Sequence, residues 1–366
     1  MNKIVILSGV NHPVKNHDIA RRHDEYARVL SEKSKGQVEL YSLALRSKSK
    51  RDLQLKFLRT IDCGAGKSFL RLSFFSIFWS LKLKKEECPV LISSPDPFLL
   101  GFLAFLLRKS MLGRPKLQVQ CHGDFGDKNW SKYSLKNWIF SKFAPITFSR
   151  ANQIRCVGKN QAKKLIDNYK IDPSKIIIAP IPTKDKRDLP EWIKPTVPVV
   201  AFLGRLHKER SVDLWVQTAQ EIFSVRNDVH FLIIGDGPER ENFQSGLSNI
   251  PTNQVSFVGN LPNEESLELL SKSSLLLSTA PFESFGMAMV EAAKIGVPIV
   301  SKPTSGALDL SEGYDSIFLG NTSKELAKLT TAALDKRDSG VIAVSQFLNS
   351  ETESVSKIVN SWLELI

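Results

Sequence analysis

The stretch that decides the fold is Phe282–Val300, FESFGMAMVEAAKIGVPIV. It follows the apolar segment Leu275–Ser278 and ends in a second apolar segment, so that a helix is enclosed between two buried strands. Gly286 marks the turn before this helix, because glycine adopts backbone conformations that are closed to other residues. Near-continuous apolar strands joined through a helix are typical of a parallel sheet covered on both faces. The stretch therefore predicts an α/β fold.

The same alternation of strand and helix extends along the whole chain. The predicted strands of the first half are Lys3–Ser8, Gln37–Tyr41, Val90–Ser93, Leu117–Cys121, Gln153–Val157 and Lys175–Ala179. Those of the second half are Val197–Leu203, Val229–Ile234, Val255–Val258, Leu275–Ser278, Pro298–Ser301 and Ile317–Leu319. The predicted helices of the first half include Ile19–Lys33, Phe69–Lys84 and Asn160–Asn168. Because 366 residues are too many for one ordinary core, two sets of strands predict two Rossmann-like doubly wound domains.

The join between the two predicted domains is the segment Ile181–Pro198. It contains four prolines and many charged residues, which is typical of a linker. We assign residues 1–190 to the first domain and residues 191–350 to the second. A last helix, in residues 351–366, follows the second domain, and the residues alone do not indicate its packing partner.

The net charge of +12 is unevenly distributed along the chain. Residues 1–200 hold 37 Lys and Arg against 17 Asp and Glu, whereas residues 201–366 hold 13 against 21. A basic half indicates an anionic partner, such as lipid headgroups, nucleic acid or a phosphorylated substrate. The alternative is that scattered lysines only keep the domain soluble. Clustered basic residues in Arg46–Arg59 and Leu81–Glu87 favour a reversible attachment to anionic lipids.

Several classes of protein are disfavoured by composition. The four cysteines, Cys63, Cys88, Cys121 and Cys156, lack the spacing of a zinc site or a disulfide framework, which favours a reducing cytosol. The sequence contains no Asp-x-Asp, so we expect no bound metal. The apolar run Pro97–Leu107 is shorter than the roughly 20 residues of a membrane span and predicts a core helix.

Two arginines follow the first strand of the second half. Gly204 and Arg205 come directly after Val197–Leu203, and Arg210 lies five residues further on. In an open parallel sheet, ligands bind beyond the carboxyl ends of the strands. Because arginine suits bidentate contacts with phosphate, Arg205 and Arg210 predict a phosphate site; solvated loop arginines are the alternative.

The loop and helix after Leu275–Ser278 predict the rest of a ligand site. The first backbone amides of the helix, at Phe285, Gly286 and Met287, have no partner within the helix and can bind an anion. Glu283 precedes these amides, in the loop, where it could contact a hydroxylated ring of the ligand, whereas Glu291 lies more than one turn into the helix. A carboxylate accepts two hydroxyl hydrogen bonds, which suits the diol of a ribose at Glu291. The layout matches a nucleoside-diphosphate sugar; the alternative is that Glu283 caps the helix and Glu291 is solvated.

Four motifs within residues 197–320 carry a family resemblance. FLGRLHKERSVD, IIGDGPER, VSFVGNLPNEE and the Glu-x7-Glu segment quoted above resemble the donor-binding domain of a retaining GT-B glycosyltransferase of family four, the glycosyl transferases group 1. The resemblance implies that Glu283 contacts the donor sugar and Glu291 the ribose. It also implies that Gly204 and Arg205 bind the diphosphate. Arg210 and the serine after it stand where the family usually has Lys-Gly.

The first half resembles the acceptor domain of the same family less closely. The carrying motifs are SSPDPFLLGFLAFLL and LQVQCHGDFGD, in which His122 ends a strand. The resemblance places His122 near the sugar, so we predict that it is catalytic together with Glu283. The Gly-Gly loop usual after the first strand is missing, and His12 or Lys15 could substitute for it. In such enzymes the last helix typically packs back on the first domain.

The resemblance implies two GT-B domains facing a central cleft and a metal-independent hexosyl- or related glycosyltransferase without a cofactor. The expected donor is a UDP- or GDP-sugar. The expected acceptor is a hydroxyl of a glycan or lipid-linked sugar in surface polysaccharide or glycolipid synthesis, at the cytoplasmic face of the inner membrane. One alternative is a nucleotide-sugar epimerase of the same fold. A basic nucleic-acid-binding protein is the other, but it would need stacking aromatics among the basic residues, so we expect no nucleic-acid partner.

Overall fold

The computed structural model describes residues 2–8, 17–44, 55–62, 88–335 and 350–366. Some predictions fall on other residues and therefore lie outside the described part of the chain. They are the candidate loop residues His12 and Lys15, the helix Phe69–Lys84, the basic segment Leu81–Glu87 and most of Arg46–Arg59.

The chain divides into two compact units. The first consists of Met1–Ile181 together with Thr352–Ile366, and the second consists of Pro182–Glu351. The division at Ile181 lies inside the segment that the prolines predicted as a linker, earlier than the predicted boundary after residue 190. The chain therefore passes from one unit to the other twice.

The first unit contains a parallel sheet with the strand order β3-β2-β1-β4-β5-β6-β7 among the described residues. Its strands are β1 Asn2–Ser8, β2 Val38–Ala44, β3 Arg59–Asp62, β4 Leu91–Ser94, β5 Lys116–Cys121, β6 Gln153–Cys156 and β7 Ile176–Ile178. Its helices are α1 His17–Lys33, α2 Leu99–Ser110, α3 Leu135–Arg150 and α4 Lys159–Tyr169. The edge strand β3 was not predicted, because its sequence RTID has a charged residue at each end.

A last helix, α11 (Glu351–Leu363), packs on the sheet of the first unit. Trp362 is fully buried beside Ile4 and Tyr26, and its indole N–H donates to Gln118 Oε1 at 2.7 Å. Gln118 Nε2 donates in turn to Ser361 Oγ at 3.0 Å. Because Ile4 belongs to β1 and Gln118 to β5, the two ends of the chain share one core.

The second unit contains a parallel sheet with the order β10-β9-β8-β11-β12-β13. Its strands are β8 Val199–Leu203, β9 His230–Ile234, β10 Val255–Gly259, β11 Leu275–Ser278, β12 Ile299–Ser301 and β13 Ile317–Leu319. Its helices are α5 Val212–Val225, α6 Arg240–Gly246, α7 Asn263–Ser271, α8 Met287–Ile295, α9 Ser305–Ser311 and α10 Ser323–Asp335. Strand order reverses between β8 and β11, and such a switch point is where ligands bind in open α/β sheets. The two sheets confirm the predicted pair of doubly wound α/β domains.

Apolar composition accounts for the cores of both units. In the second unit Trp215, Phe231 and Phe243 are fully buried and meet edge to face. In the first unit the apolar run Pro97–Leu107 forms most of helix α2, whose buried residues face the sheet. Across the described ranges, no helix combines the length and apolar character that a membrane crossing requires.

Candidate functional site

A cavity of about 280 Å³ lies at the carboxyl ends of β8 and β11, at the switch point of the second sheet. Strand β8 leads into the loop that carries the two arginines, and β11 leads into the loop that carries Glu283. The cavity brings together seven of the predicted site residues, which are Gly204, Arg205, Arg210, Glu283, Gly286, Met287 and Glu291. Phe285 does not line it, because its side chain is buried, so only its backbone amide is left for the predicted contact. Their ligands and roles stay predictions.

Glycines allow the loops after β8 and β9 to touch backbone to backbone. A Cβ at Gly235 would lie 1.9 Å from the carbonyl oxygen of Gly204, and one at Gly237 would lie 2.3 Å from that of Leu206. Backbone hydrogen bonds hold this contact, from Gly204 N to Ile234 O at 3.0 Å and from Leu206 N to Asp236 O at 3.0 Å. The loop that carries the arginines is therefore fixed by its neighbour, and no side chain fits between them.

Arg210 and Glu283 form an ion pair inside the cavity. Arg210 is followed by Ser211, whose φ of 46° lies in the left-handed region that favours glycine. Thr279 Oγ1 donates to the carbonyl oxygens of both Arg210 and Ser211, at 3.0 and 3.2 Å. Thr279, the residue after β11, thus holds the strained turn next to Arg210, which pairs with Glu283.

Helix α8 begins at Gly286, which has a φ of 76°. Gly286 has no side chain that could accept hydrogen bonds from the first amides of the helix. Its carbonyl oxygen accepts a hydrogen bond from Val290 N at 2.9 Å. The start of the helix therefore presents N–H donors and the positive end of its dipole to the cavity. An anion bound there would also meet Arg210.

Glu291 lies on the same helix, one turn before Lys294. Asn263, the first residue of α7, donates through Nδ2 to Glu291 Oε1 at 3.3 Å. Burial raises the pKa of Glu291, although the Asn263 hydrogen bond and the cations of Lys184 and Lys294 act against this rise. Burial thus leaves the charge of the Glu291 carboxylate poorly solvated, and a hydrogen bond from a ligand hydroxyl would stabilise that charge.

The model of a known family matches this part of the chain. It is described as Glycosyl transferases group 1 and covers residues 183–341. Residues 183–341 are therefore similar to the group 1 glycosyl transferases. The Glu-x7-Glu segment and both arginine positions lie inside the matched range.

Curated relatives of this group 1 domain are similar over part of their length. The GPI3 subunit of phosphatidylinositol N-acetylglucosaminyltransferase from Saccharomyces cerevisiae is 24% identical over 254 residues, which cover 64% of this chain and 54% of that protein. The 2-deoxystreptamine glucosyltransferase of Streptomyces kanamyceticus is 27% identical over 212 residues, which cover 55% and 54%. The chain spans about half the length of the curated relatives it matches.

Solved structures extend the similarity to the first unit. Anabaena Alr3699/HepE in complex with UDP and glucose aligns over 100% of both chains with a TM-score of 0.72 and 14% identity. At this level of identity the likeness shows the fold. The two α/β units are those of the GT-B fold.

Three residues that support the group 1 site were missed by sequence reasoning. Asn263 contacts Glu291, as described above. Gly306, at the start of α9, donates through its N–H to the carbonyl oxygen of Glu283 at 2.8 Å, and a Cβ there would lie 2.6 Å from backbone atoms of Phe285. Lys294 is buried and donates to Thr183 Oγ1 at 2.7 Å and to Lys184 O at 2.9 Å. A glycine just after strand β12 was a readable signal, whereas Asn263 and Lys294 depend on contacts distant in sequence.

His122 lies in the first unit, in a second cavity, of about 570 Å³. Strands β1, β4 and β5 end at this cavity. The predicted catalytic residues Glu283 and His122 therefore belong to different units. Among the described residues, no group of three or more His, Cys, Asp or Glu side chains is placed to hold a metal ion.

The proton on the His122 ring can be assigned from its neighbours. Gln120 Oε1 accepts from Arg155 Nη1 at 2.6 Å and also lies 3.0 Å from His122 Nε2, so His122 Nε2 must be a donor. Solvent reaches the ring through the cavity. Even so, desolvation by the surrounding protein atoms, followed by repulsion from the Arg155 guanidinium, lowers the pKa of His122 well below its usual range. At neutral pH the ring is neutral, with its proton on Nε2 and its lone pair on Nδ1.

Proposed function

We propose that the protein is a retaining glycosyltransferase that moves a hexosyl group from a nucleoside-diphosphate sugar to an acceptor hydroxyl. The observation that carries the proposal is the cavity of the second unit. There two arginines and the start of α8 face the same space as the two carboxylates of the Glu-x7-Glu segment. The family match over residues 183–341, and a GT-B neighbour whose structure holds UDP and glucose, support it.

The cavity suits the three parts of such a donor. Arg205, Arg210 and the first amides of α8 would bind the diphosphate and offset the charge that develops on it as it leaves. Glu291 would accept hydrogen bonds from the ribose, and Glu283 from the sugar. The arginines and amides do this without requiring a metal.

The reaction needs few parts. The bond between the anomeric carbon and the diphosphate oxygen breaks, and a bond forms from the acceptor oxygen on the same face. The hydroxyl proton passes to the departing phosphate oxygen. Because attack and departure share one face, configuration is retained without a protein nucleophile.

Thermal shift with nucleotides tests the donor site. Full-length protein is heated with UDP, GDP, their glucose and mannose conjugates, and uridine or guanosine as the matched controls. A ligand at 100 times its dissociation constant adds about 2.7 kcal/mol of stability, a shift that is readily measured. No shift with any nucleoside diphosphate would refute the proposal. Analysis of the sugar products with and without an acceptor separates a transferase from the epimerase alternative.

The proposed place of action is the cytoplasmic face of a membrane that contains anionic lipids. Helix α3 supports it, because apolar residues lie exposed along one side at helical spacing: Leu135, which is 74% exposed, Ile139, Phe143 and Ile146, with Trp138 beside them at 52%. Lys132, Lys136, Lys142 and Arg150 are exposed on or next to the same helix. An exposed apolar stripe flanked by cations and an aromatic is typical of a helix lying in a lipid interface.

Sedimentation with liposomes tests this placement. We expect binding to phosphatidylglycerol liposomes at low salt, release at high salt, and no binding to phosphatidylcholine. The double change Leu135→Ser and Ile139→Ser should abolish binding. The matched control is Val225→Ser, which alters a residue 73% exposed on the second unit. Equal binding by all variants would exclude α3 as the lipid-binding surface.

A further inference from the structure

The cavity of the first unit has a positively charged wall. Arg22, Lys136 and Arg155 line it, and Asp96 is the carboxylate among its lining residues. One oxygen of Asp96 accepts from the amides of Phe98 and Leu100, at 2.8 and 3.2 Å, at the start of α2. Asp96 thus caps the helix, and three cationic side chains line the cavity against this one carboxylate. His122 adds no charge, because its lowered pKa keeps it neutral.

Arg155 is the least expected of these cations. It lies on the interior strand β6 and is only 2% exposed, yet its three hydrogen bonds all go to uncharged groups. They run to Ala179 O at 3.0 Å, Pro180 O at 3.1 Å and Gln120 Oε1 at 2.6 Å. Within the described residues, no carboxylate forms an ion pair with it. A buried guanidinium without a counter-ion is unfavourable, and two of its five N–H donors remain for a ligand.

A row of buried polar side chains leads to Arg155 across the sheet. Gln118 and Gln120 alternate with apolar residues on β5, and Ser93 of β4 links them: Ser93 Oγ donates to Gln118 Oε1 at 3.0 Å, and Gln120 Nε2 donates to Ser93 Oγ at 2.8 Å. Interior strands of parallel sheets are usually apolar on both faces. One end of this row, at Gln118, holds α11 through Trp362 and Ser361. The other end lies at the cavity, where Gln120 contacts both Arg155 and His122.

We propose that this cavity binds an anionic group of the acceptor, a phosphate or a carboxylate, which supplies Arg155 with the counter-ion that none of the described residues provides. Arg22 and Lys136 add charge at the sides of the cavity. The volume of about 570 Å³ leaves room for a sugar or cyclitol ring beside that group. A cationic acceptor is repelled by the same wall. The inference rests on the proposed function, since the occupant is an acceptor only if the second unit holds a donor.

Three matched hexoses test the charge of the ligand. The protein is first saturated with whichever of UDP and GDP it binds, so that the arginines of the second unit are occupied, and is then titrated by calorimetry. The probes are glucose 6-phosphate, glucose and glucosamine, which differ mainly in charge. A separate titration with dihexanoyl phosphatidylglycerol, kept monomeric, distinguishes a lipid headgroup from a soluble phosphate. We expect at least one of the two anions to bind about tenfold or more tightly than glucose, and glucosamine not to bind.

Variants locate the site. Arg22→Gln and Lys136→Gln should each weaken the bound anion severalfold, and Arg155→Gln should abolish its binding. Arg155 also donates hydrogen bonds to the backbone carbonyls of Ala179 and Pro180, so Arg155→Gln could prevent folding. In that case Arg22→Gln and Lys136→Gln still decide the test. Lys109→Gln changes an exposed cation outside the cavity and should have no effect.

Two results would overturn the inference: binding of neither anion while UDP or GDP still binds, or anion binding that is unchanged in Arg22→Gln and Lys136→Gln. Failure of both UDP and GDP to bind, with anion binding intact in an unsaturated titration, would instead refute the proposed function and leave the anion site in place.

Discussion

Replacing Glu283 by glutamine should tighten the binding of a nucleoside diphosphate, although it removes a central residue of the proposed site. In the unliganded cavity Glu283 holds Arg210 in an ion pair. A diphosphate that binds Arg210 must compete with this carboxylate and is also repelled by it. Glutamine has the same shape, removes the charge, and leaves Arg210 available.

The size of the effect follows from how exposed the pair is. The side chains of Arg210 and Glu283 are 35% and 19% exposed, so water screens their attraction. Partly exposed ion pairs contribute about 0.2–1 kcal/mol. At about 1.4 kcal/mol for each tenfold change, UDP or GDP should bind about 1.4- to 5-fold more tightly. Turnover should fall at least about tenfold, because the sugar loses a charged hydrogen-bond partner worth roughly 1.5–3 kcal/mol.

Calorimetry with the nucleoside diphosphate and a product assay measure the two quantities on the same variants. Glu241→Gln, an exposed glutamate on α6, is the matched control and should change neither. The reasoning fails if Glu283→Gln weakens nucleotide binding, because Glu283 would then support the diphosphate site instead of competing for Arg210.

Four further changes have defined outcomes. Arg210→Gln should weaken UDP by roughly 1.5–3 kcal/mol and leave uridine unchanged in calorimetry; equal losses would make Arg210 structural. Glu291→Gln should weaken nucleotide binding yet raise the melting temperature at pH 7. Since folding raises the pKa of Glu291, the wild type loses stability as pH rises through that pKa, and the advantage of the variant should vanish below pH 4. Ser211→Gly should raise the free energy of unfolding, measured in urea, by about 0.5–1 kcal/mol. The reason is that relief of about 1–2 kcal/mol of left-handed backbone strain outweighs the greater flexibility of glycine in the unfolded chain. A lower free energy of unfolding would show that the turn is unstrained. Gly306→Ala should lower turnover by about tenfold or more, since its Cβ displaces the loop that carries Glu283, and normal turnover would show that the loop yields elsewhere.

Local patterns were enough to predict the sheets and the neighbours of the cavity. Strands such as β8 and β11 are apolar runs that end in glycine or a polar loop, so both their position and the edge at which ligands gather are readable. Strand β3 was missed because an edge strand need not be apolar, and β3 pairs only with β2 within the described residues.

Contacts between distant parts of the chain explain what could not be predicted. Asn263 reaches Glu291 because α7 and α8 pack together, and no spacing in the sequence reports that contact. Arg155 and Gln120 belong to apolar-looking segments, and their meeting depends on the register of β5 against β6. Even the pairing of Arg210 with Glu283, both singled out from the sequence, required the strand order to bring their loops together.

The double passage of the chain between its units limits how proteins of this fold can exchange parts. A single genetic crossover at Ile181 would transfer the first sheet without α11, and the incoming sheet would meet a foreign last helix. Trp362 would then face a pocket shaped for another residue, and Gln118 would lose the indole N–H and the Ser361 hydroxyl that it bonds. Recombination that preserves folding therefore needs a second junction near Glu351. A new first unit can be inherited intact only when the segment before Ile181 and the segment after Glu351 travel together.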